Sequence, residues 1–356
     1  MRLGIIGLPQ SGKTTIFNAL TRGNQPTTVS GGRFEVHTGV VDVPDERVDR
    51  LSQIFRPEKT IYAKVTYADI AGLEGAADKS GVSGVLLNQL TQMDGFVHVV
   101  RCFENASVPH PAGYVDPQRD IAAMDSELLL NDMIAVERKQ ERLVDERRKG
   151  GGRERALIER EITLFEKLHA ALAAETPLRD IEITAEEEKG LSGFGFLTRK
   201  PVLLLWNLSE GQPPPVIDYP HRRSASVDLQ GRLEMDLAQL PPDEAEMFMA
   251  EYGIEELGLS RVIRLSYDLM GLQSFFTVGE DEVRAWTIQR GTPAVEAAGA
   301  IHTDLQKGFI RAEVVPYNDM VALGSMAEAR HKGKLRLEGK EYIVQDGEIV
   351  HIRFNV

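Results

Sequence analysis

Short apolar runs alternate with amphipathic stretches through roughly the first 115 residues of the chain. Residues 2–7, 64–70 and 95–103 are rich in aliphatic and β-branched side chains, which predicts buried strands. Residues 13–21 instead place apolar side chains at helical spacing. Strand and helix alternating in this way predict an α/β domain with a parallel sheet covered by helices.

The pattern changes near Pro117. Residues 118–175 are dense in charged residues and Leu, and their apolar positions recur three and four apart on either side of the glycines at 150–152. This predicts two amphipathic helices joined by a turn. Because "PVLLLW" at 201–206 reads as a further buried strand, with another expected at 224–229, the helical hairpin is predicted to be an insertion inside the α/β domain.

After Gly271 a third pattern begins. The segment "FFTVGEDEVRAWTI" predicts a β-hairpin, residues 294–307 a helix, and the tail three short strands broken at Gly339 and at Asp346-Gly347. We therefore expect three parts: an α/β domain from 1–116 and 200–270, an inserted helical arm at 117–199, and a small α+β domain at 271–356.

Composition and charge narrow the function classes. The chain has 356 residues, a formal net charge of −13 and one cysteine, Cys102. The charge argues against general DNA binding, and one cysteine allows no internal disulfide, as in cytosolic proteins. With neither a secretory signal nor a membrane-length apolar run apparent, the expected localisation is cytoplasmic, away from membranes.

The loop "GLPQSGKTT" carries the first chemical signal. Gly7, Gly12, Lys13 and Thr14 match the spacing G-x-x-x-x-G-K-[ST] between a predicted strand and a predicted helix. Backbone N–H groups and the helix dipole would hold phosphates, Lys13 would reach the β- and γ-oxygens, and Thr14 would bind Mg²⁺. The loop predicts a P-loop nucleotide site.

A second motif, Asp69-Ile70-Ala71-Gly72, ends a predicted strand. Its place at the end of a predicted strand suits Asp69 to hold the water shell of the magnesium ion. The backbone N–H of Gly72 would donate a hydrogen bond to the γ-phosphate. Lys13, Asp69 and Gly72 are therefore the expected catalytic residues, and Thr14 and Asp69 the expected metal ligands.

The base is indicated by Asn207-Leu208-Ser209-Glu210, directly after the buried strand "VLLLW". Guanine sites usually place Asn-Lys-x-Asp here, with the Asp accepting from two guanine N–H groups. In this chain Leu replaces the Lys and the longer Glu210 replaces the Asp. We expect a relaxed guanine preference and ATP as a ligand, with GTP binding comparably or more weakly.

Together, "GLPQSGKTT", "DIAGL", "HVVRCFEN", "NLSE" and the tail that begins with "FFTVGEDEVRAWTI" at Phe275 resemble the YchF/Obg-like ATPase family of P-loop proteins. The resemblance implies a G domain, an inserted coiled-coil arm and a C-terminal TGS domain of β-grasp fold. It also implies hydrolysis of ATP at least as well as GTP, ribosome association, and a contact between Leu208 and the base. The residues it implies for the phosphates are Gln10, Ser11, Gly12, Lys13, Thr14 and Thr15.

Several positions bear on the rate of hydrolysis. Leu73, a hydrophobic substitution shared with the family, cannot orient water, so turnover should be slow. Gln10 stands where the family usually has a potassium-holding Asn, which leaves potassium stimulation open. Arg33 stands where the family's first switch has a magnesium-binding Thr; Thr27, Thr28 and Thr38 are alternatives. Residues 230–232, Gln-Gly-Arg, replace the usual Ser-Ala-Lys base loop.

Three functions stay open at this point: a slow ATPase switch, a nucleotide-dependent binding module with negligible hydrolysis, and a GTPase of the Obg type. Glu210 argues against the third.

His98 and Cys102 are expected to be buried residues of the sheet rather than reactive groups.

Basic residues cluster at the tip of the predicted arm, where they form either a solvated surface or an rRNA phosphate contact. They are Arg147, Arg148, Lys149, Arg153 and Arg155.

Overall fold

The computed structural model describes residues 1–25, 36–70, 84–149, 153–254 and 256–355. Its strands are β1 (Arg2–Ile6), β2 (Val36–Asp42), β3 (Lys59–Ile61), β4 (Lys64–Ile70), β5 (Gly95–Arg101), β6 (Val202–Asn207), β7 (Ser224–Leu229), β8 (Leu272–Val278), β9 (Glu282–Gln289), β10 (Phe309–Val315), β11 (Arg336–Glu338) and β12 (Ile349–Phe354). Its helices are α1 (Lys13–Thr21), α2 (Glu46–Phe55), α3 (Gly84–Thr91), α4 (Pro117–Lys149), α5 (Arg155–Ala173), α6 (Ala185–Leu191), α7 (Gly231–Ala238), α8 (Pro242–Glu251), α9 (Gly258–Leu269), α10 (Ala294–Ile301), α11 (Thr303–Lys307), α12 (Tyr317–Leu323) and α13 (Met326–His331).

The chain divides into two compact units, the first formed by Met1–Gly39 and Thr66–Arg261. Its sheet has the strand order β2-β4-β1-β5-β6-β7. β1 pairs in parallel with β4 and β5, and β6 pairs in parallel with β5 and β7. The predicted parallel α/β sheet is confirmed, and so is the insertion of the helical arm between two neighbouring strands, β5 and β6.

The core of this sheet explains why its central strands are apolar throughout. Every residue of β5 and β6 is buried, because helices cover both faces of the sheet. Ile121, Met124 and Leu128, near the start of α4, belong to the same buried cluster as Phe96 and Trp206. The first apolar stripe of the arm therefore packs on the sheet rather than on the second helix.

The two long helices predicted for the arm are present as α4 and α5. They pack along a separate buried cluster that includes Val136, Leu143, Phe165 and Leu168. Asp132 ties the base of α4 to the chain ahead of β6: its carboxylate accepts hydrogen bonds from the backbone N–H groups of Leu197 and Thr198, both 2.8 Å. Burial raises the pKa of Asp132 to about 6, so the carboxylate is ionised at neutral pH.

The second unit is formed by Val40–Val65 and Val262–Val356. Its sheet has the order β11-β10-β12-β8-β9-β3, and the predicted hairpin is the antiparallel pair β8–β9. Residues 40–65, which the sequence analysis assigned to the first range, group here because β3 pairs with β9. The boundaries expected at 116–117, 199–200 and 270–271 stay predictions.

The prediction of three short strands in the tail was wrong for the middle one. β11 and β12 flank a segment whose only ladder contact among the described residues is an isolated bridge between Ile343 and Pro293. Polar contacts fix this segment instead, since the Gln345 N–H donates to Glu348 at 2.9 Å and the Tyr342 hydroxyl donates to the same carboxylate at 2.6 Å. Within the described ranges, no helix is long and apolar enough to span a membrane.

Candidate nucleotide site

The loop between β1 and α1 has the backbone shape that its glycines allow. Gly7 has φ +152° and Gly12 φ +96°, and Gln10 between them takes the left-handed conformation at φ +61°. A Cβ on Gly7 would lie 2.4 Å from the Val99 carbonyl oxygen, and one on Gly12 would lie 2.3 Å from the Asn207 Nδ2. Both positions therefore require glycine for space as well as for φ.

Lys13 closes over this loop from the first turn of α1. Its ammonium donates to the Gly7 carbonyl at 3.0 Å and to the Leu8 carbonyl at 2.9 Å. Gly12 is the N-cap of α1, where no side chain among the described residues caps the helix, and the first turn contains no acidic residue. The helix end therefore presents N–H donors and its positive dipole end, which suits a phosphate group.

Thr14 and Asp69, the two expected metal ligands, lie side by side in the structure. The Thr14 hydroxyl donates to Asp69 Oδ2 at 2.8 Å. Asp69 is 2% exposed, and its Oδ1 has no hydrogen-bond partner in the part of the chain that the structure describes. Burial raises the pKa of Asp69, while the hydrogen bond from Thr14 and the nearby Lys13 and His37 oppose that rise. A hydroxyl and a buried carboxylate with a free oxygen are the donors that Mg²⁺ prefers.

The remaining predicted loop residues lie at the same place. Ser11 is buried with a hydroxyl that has no partner among the described residues, and Thr15 is half-buried in the first turn of α1. Gln10 likewise has a buried side-chain oxygen without a described partner. Buried polar atoms are normally satisfied, so this concentration of orphaned oxygens is typical of a ligand site.

Asn207 braces the loop from the end of β6. Its Nδ2 donates to the Ser11 carbonyl at 2.9 Å, and its Oδ1 accepts from the Gly231 N–H at 3.2 Å. Gln230 separates β7 from α7, and Gly231 and Arg232 are the first two residues of α7, so the Asn207 side chain links the phosphate loop to the start of that helix.

Leu208 and Glu210, the other residues expected to contact the base, differ in their exposure. Leu208 is 5% exposed and belongs to the sheet cluster, whereas Glu210 is exposed in the turn that follows β6. Asn207 is therefore the residue of this motif that touches the phosphate loop directly. The roles of Leu208 and Glu210 toward a base stay predictions.

Several expected residues lie outside the described residues. These are Gly72, Leu73, Thr27, Thr28 and Arg33. Thr38, the remaining candidate for a switch threonine, is an exposed residue of β2.

Arg101, at the end of β5, is a site residue that the sequence analysis missed. It is 1% exposed, and its guanidinium donates to the carbonyls of Gln10 at 3.3 Å, Phe103 at 3.0 Å and Val108 at 2.7 Å. A buried arginine bound to three carbonyls fixes the backbone where Gln10 adopts its left-handed conformation. The only signal in the sequence was a charged residue ending an otherwise apolar strand.

The expectation that His98 is a sheet residue is confirmed. It lies in β5, pairs in register with Ile6, and is 2% exposed. Burial, together with the charge of Lys13, lowers the pKa of His98 to about 3, so the ring is neutral at physiological pH. Cys102 is also buried, as expected, and burial raises the pKa of its thiol to about 12.

The buried His98 predicts a pH dependence of stability. Because its folded-state pKa lies below the ordinary value of 6.5, the unfolded chain binds the extra proton between about pH 6.5 and 3. The free energy of unfolding should therefore fall as pH falls through that window, by at most about 1.4 kcal/mol per pH unit from this residue. Urea unfolding of the wild type and of His98→Leu at several pH values measures the difference, from which the common carboxylate contributions cancel. Parallel pH profiles for the two proteins would contradict the assignment.

Comparison with known proteins agrees with this geometry. Residues 2–139 match the family model described as "50S ribosome-binding GTPase", and residues 272–355 match the YchF-GTPase_C model, "Protein of unknown function (DUF933)". The chain is 40% identical to the "Ribosome-binding ATPase YchF" of Bacillus subtilis (strain 168) over 365 residues, covering 99% of each chain. It is 39% identical to that of Escherichia coli O157:H7 over 364 residues, covering 100% of this chain and 99% of the relative.

A solved structure supports the same grouping. "Structure of the Schizosaccharomyces pombe YchF GTPase" superposes with a TM-score of 0.85 and 32% sequence identity, covering 99% of this chain and 97% of that one. Full-length similarity, the two family models and a P-loop built from Gly7 to Thr15 lead to one conclusion: the chain belongs to the YchF family of P-loop nucleoside triphosphatases.

Proposed function

We propose that this chain is a magnesium-dependent nucleotide switch that binds ATP, hydrolyses it slowly and associates with the ribosome in the cytoplasm. The observation that carries the proposal is the brace by Asn207, because it connects the phosphate loop to the segment that ends in Glu210. The same segment that would select the base is therefore anchored to the loop that would hold the phosphates.

The preference for ATP rests on the chemistry of Leu208 and Glu210. Glu210 is one methylene longer than the Asp of a guanine site, so its carboxylate would not meet the two guanine N–H donors in the same place. Leu208 supplies an apolar side chain in place of a lysine. Such a pocket lacks the hydrogen bonds by which a guanine site discriminates against adenine. It can therefore accept both bases.

Magnesium would be held by Thr14 and Asp69, since their oxygens lie together and one carboxylate oxygen has no other described partner. When bound, the ion supplies positive charge that neutralises the phosphate oxygens. Lys13 would exchange its two carbonyl acceptors for phosphate oxygens, and the N–H groups at the start of α1 would complete the cradle. With Leu73 unable to orient water, we expect slow turnover; potassium stimulation stays open because of Gln10.

Ribosome association is supported by the names of the relatives, "Ribosome-binding ATPase YchF". The negative net charge of the chain argues for local RNA contacts rather than general coating of DNA. Turnover measured separately with ATP and GTP tests the enzymatic part of the proposal. Binding of ATP without measurable turnover would instead favour a nucleotide-dependent binding module.

The base assignment predicts a change of nucleotide preference on substitution. Leu208→Lys combined with Glu210→Asp should raise the affinity for GTP relative to ATP by about tenfold, which corresponds to about 1.4 kcal/mol from restored hydrogen bonds to guanine. Competition titration with both nucleotides measures the ratio. Because Leu208 is 5% exposed and a lysine there costs stability, Glu210→Asp alone serves as the folded control. An unchanged ratio in both variants would contradict the assignment.

The basic residues at the tip of the arm lead to a second prediction, which concerns ribosome binding. Each of the five basic residues has a carboxylate within 4 Å; for example, Arg148 lies 3.0 Å from Asp145, and Arg147 lies 3.7 Å from Glu159. Exposed pairs of this kind are weak and salt-screened, so a phosphate can replace the carboxylate. Changing all five basic residues to alanine should abolish salt-sensitive co-sedimentation with ribosomes.

The matched control keeps the basic residues and removes two of their partners. Asp145→Asn with Glu159→Gln should pellet with ribosomes at least as well as the wild type, because the arginines are then more available. If both variants lost co-sedimentation equally, the ion pairs would act by holding the structure of the arm. If the alanine variant still pelleted with ribosomes, the tip of the arm would not be a ribosome contact.

A further inference from the structure

A basic cavity of about 610 Å³ lies where the arm joins the sheet of the first unit. Its basic side chains come from α5, from the segment after it, and from the segments that enter β6 and β7. They are Lys167, Arg179, Arg199, Arg222 and Arg223. We call this site the basic cavity. Its volume is within the range of small-ligand sites.

The basic cavity is separate from the nucleotide site. Arg199 precedes β6, and Arg222 and Arg223 precede β7, so these residues lie at the amino ends of two parallel strands. The phosphate loop follows the carboxyl end of β1, which runs parallel to β5 and through it to β6. The two sites therefore lie at opposite edges of one sheet.

Acidic residues compensate only part of its charge. Glu188 pairs with Arg199, and Glu182 lies 3.8 Å from Arg222. Within the described residues, Arg179 and Arg223 have no carboxylate within 4 Å. The cavity thus concentrates positive charge on a chain whose formal net charge is −13. Such a concentration favours an anionic ligand.

Arg179 has an unused donor. The residue is 6% exposed; one of its terminal nitrogens donates to the Tyr219 hydroxyl at 2.6 Å and the other to the Thr198 carbonyl at 3.3 Å. Its Nε is buried and has no hydrogen-bond partner in the described part of the chain. Both terminal nitrogens thus have neutral acceptors, and no carboxylate among the described residues lies within 4 Å to offset the positive charge of this side chain.

The surroundings of Arg223 also favour an anionic ligand. Burial and the neighbouring charge of Arg199 lower the pKa of Arg223, and Arg179 adds to this, while the carboxylate of Glu188 opposes it, so the positive charge of Arg223 is only partly compensated. Among the described residues, its guanidinium has one hydrogen-bond acceptor, the neutral carbonyl of Arg199 at 3.4 Å. A phosphate group would offset this repulsion and accept several guanidinium N–H donors at once.

We propose that the basic cavity binds a phosphate group, as an RNA phosphodiester or as a free phosphorylated molecule, at a second anion site away from the P-loop. The RNA case deepens the proposed ribosome association by assigning a contact at the base of the arm. Because the test uses isolated RNA and pyrophosphate, its result does not depend on nucleotide turnover or on ribosome pelleting. Failure here is therefore distinguishable from failure of the proposed function.

The test compares a variant that removes two positive charges from the basic cavity with a control variant that removes two positive charges elsewhere. Arg222→Gln with Arg223→Gln keeps the Arg222 backbone N–H bond to Asp180 at 2.8 Å. Arg50→Gln with Lys332→Gln removes the same charge from exposed positions of the second unit. Lys167→Gln repeats the test from α5 should the double variant unfold.

Binding of a fluorescent single-stranded RNA oligonucleotide is measured by anisotropy over a range of salt. The cavity variant should bind more than tenfold more weakly at low salt, and its slope of log affinity against log salt should fall by about 1.4, since each phosphate contact contributes about 0.7. Pyrophosphate binding is measured by calorimetry in a Lys13→Ala background, which isolates the cavity from the P-loop.

Each outcome decides the proposal. Weaker RNA binding in the cavity variants, with the control unchanged, supports an RNA phosphodiester ligand. Weaker pyrophosphate binding with unchanged RNA binding supports a free phosphorylated ligand. Wild-type affinity for both probes, in folded cavity variants, overturns the proposal.

Discussion

Lys13→Ala should weaken ATP binding by about 100-fold, or about 2.8 kcal/mol. The ammonium lies at the mouth of the loop, where it donates to the carbonyls of Gly7 and Leu8 at 3.0 and 2.9 Å. Charge-assisted hydrogen bonds to phosphate are stronger than these neutral-acceptor bonds, so the lysine gains by transferring to a triphosphate. Alanine removes that gain and leaves the phosphate charge uncompensated. Calorimetric titration with MgATP measures the loss.

Lys200 offers a matched control for this substitution. It is also a partly buried lysine, and its ammonium donates to the backbone carbonyls of Thr91, at 3.0 Å, and Met93. It precedes β6 and so lies at the other edge of the sheet from the phosphate loop. Lys200→Ala should lower the free energy of unfolding and leave ATP affinity within about twofold. A similar loss of affinity in both variants would mean that Lys13 acts through stability rather than through phosphate contact.

Asn207→Ala should have the second-largest effect, on both stability and binding. The substitution leaves the Ser11 carbonyl and the Gly231 N–H without their described side-chain partner. Burying two unsatisfied backbone groups costs about 2–3 kcal/mol of unfolding free energy. Because Ser11 and Gly12 belong to the phosphate loop, ATP affinity should also fall by about tenfold. Urea unfolding and calorimetry measure the two effects.

Asn131 is the control for this prediction. It is 7% exposed, and its amide donates to the Glu127 carbonyl one turn earlier in α4, at 2.8 Å. Asn131→Ala should lower stability through a lost local bond and leave nucleotide affinity unchanged. If Asn207→Ala retained wild-type ATP affinity, the brace between the loop and the end of β6 would have no role in binding.

Much of the first unit could be predicted because its determinants are local. The spacing of Gly7, Gly12 and Lys13 is typical of a phosphate-binding loop, and in the structure a Cβ on either glycine would clash with its neighbours. The continuous apolar runs of β5 and β6 are typical of strands buried on both faces. Thr14 and Asp69 lie together because β1 and β4 are parallel neighbours whose carboxyl ends meet at the same edge of the sheet.

The remaining features depend on contacts that are distant in sequence. Arg101 could not be assigned because the carbonyls of Gln10 and Val108 meet it only in the folded chain. The stripe of Ile121, Met124 and Leu128 has helical spacing whichever surface it packs on, so the sequence could not show that it faces the sheet. In the tail, hydrogen bonds to Glu348 override the strand propensity of residues 341–345.

The most direct test of the account is calorimetric titration of the purified protein with ATP and with GTP in the presence of Mg²⁺. The account predicts saturable ATP binding at least as tight as GTP binding, and about 100-fold weaker binding of both nucleotides on Lys13→Ala. Absence of ATP binding, or a preference for GTP of more than about tenfold (about 1.4 kcal/mol), would contradict it.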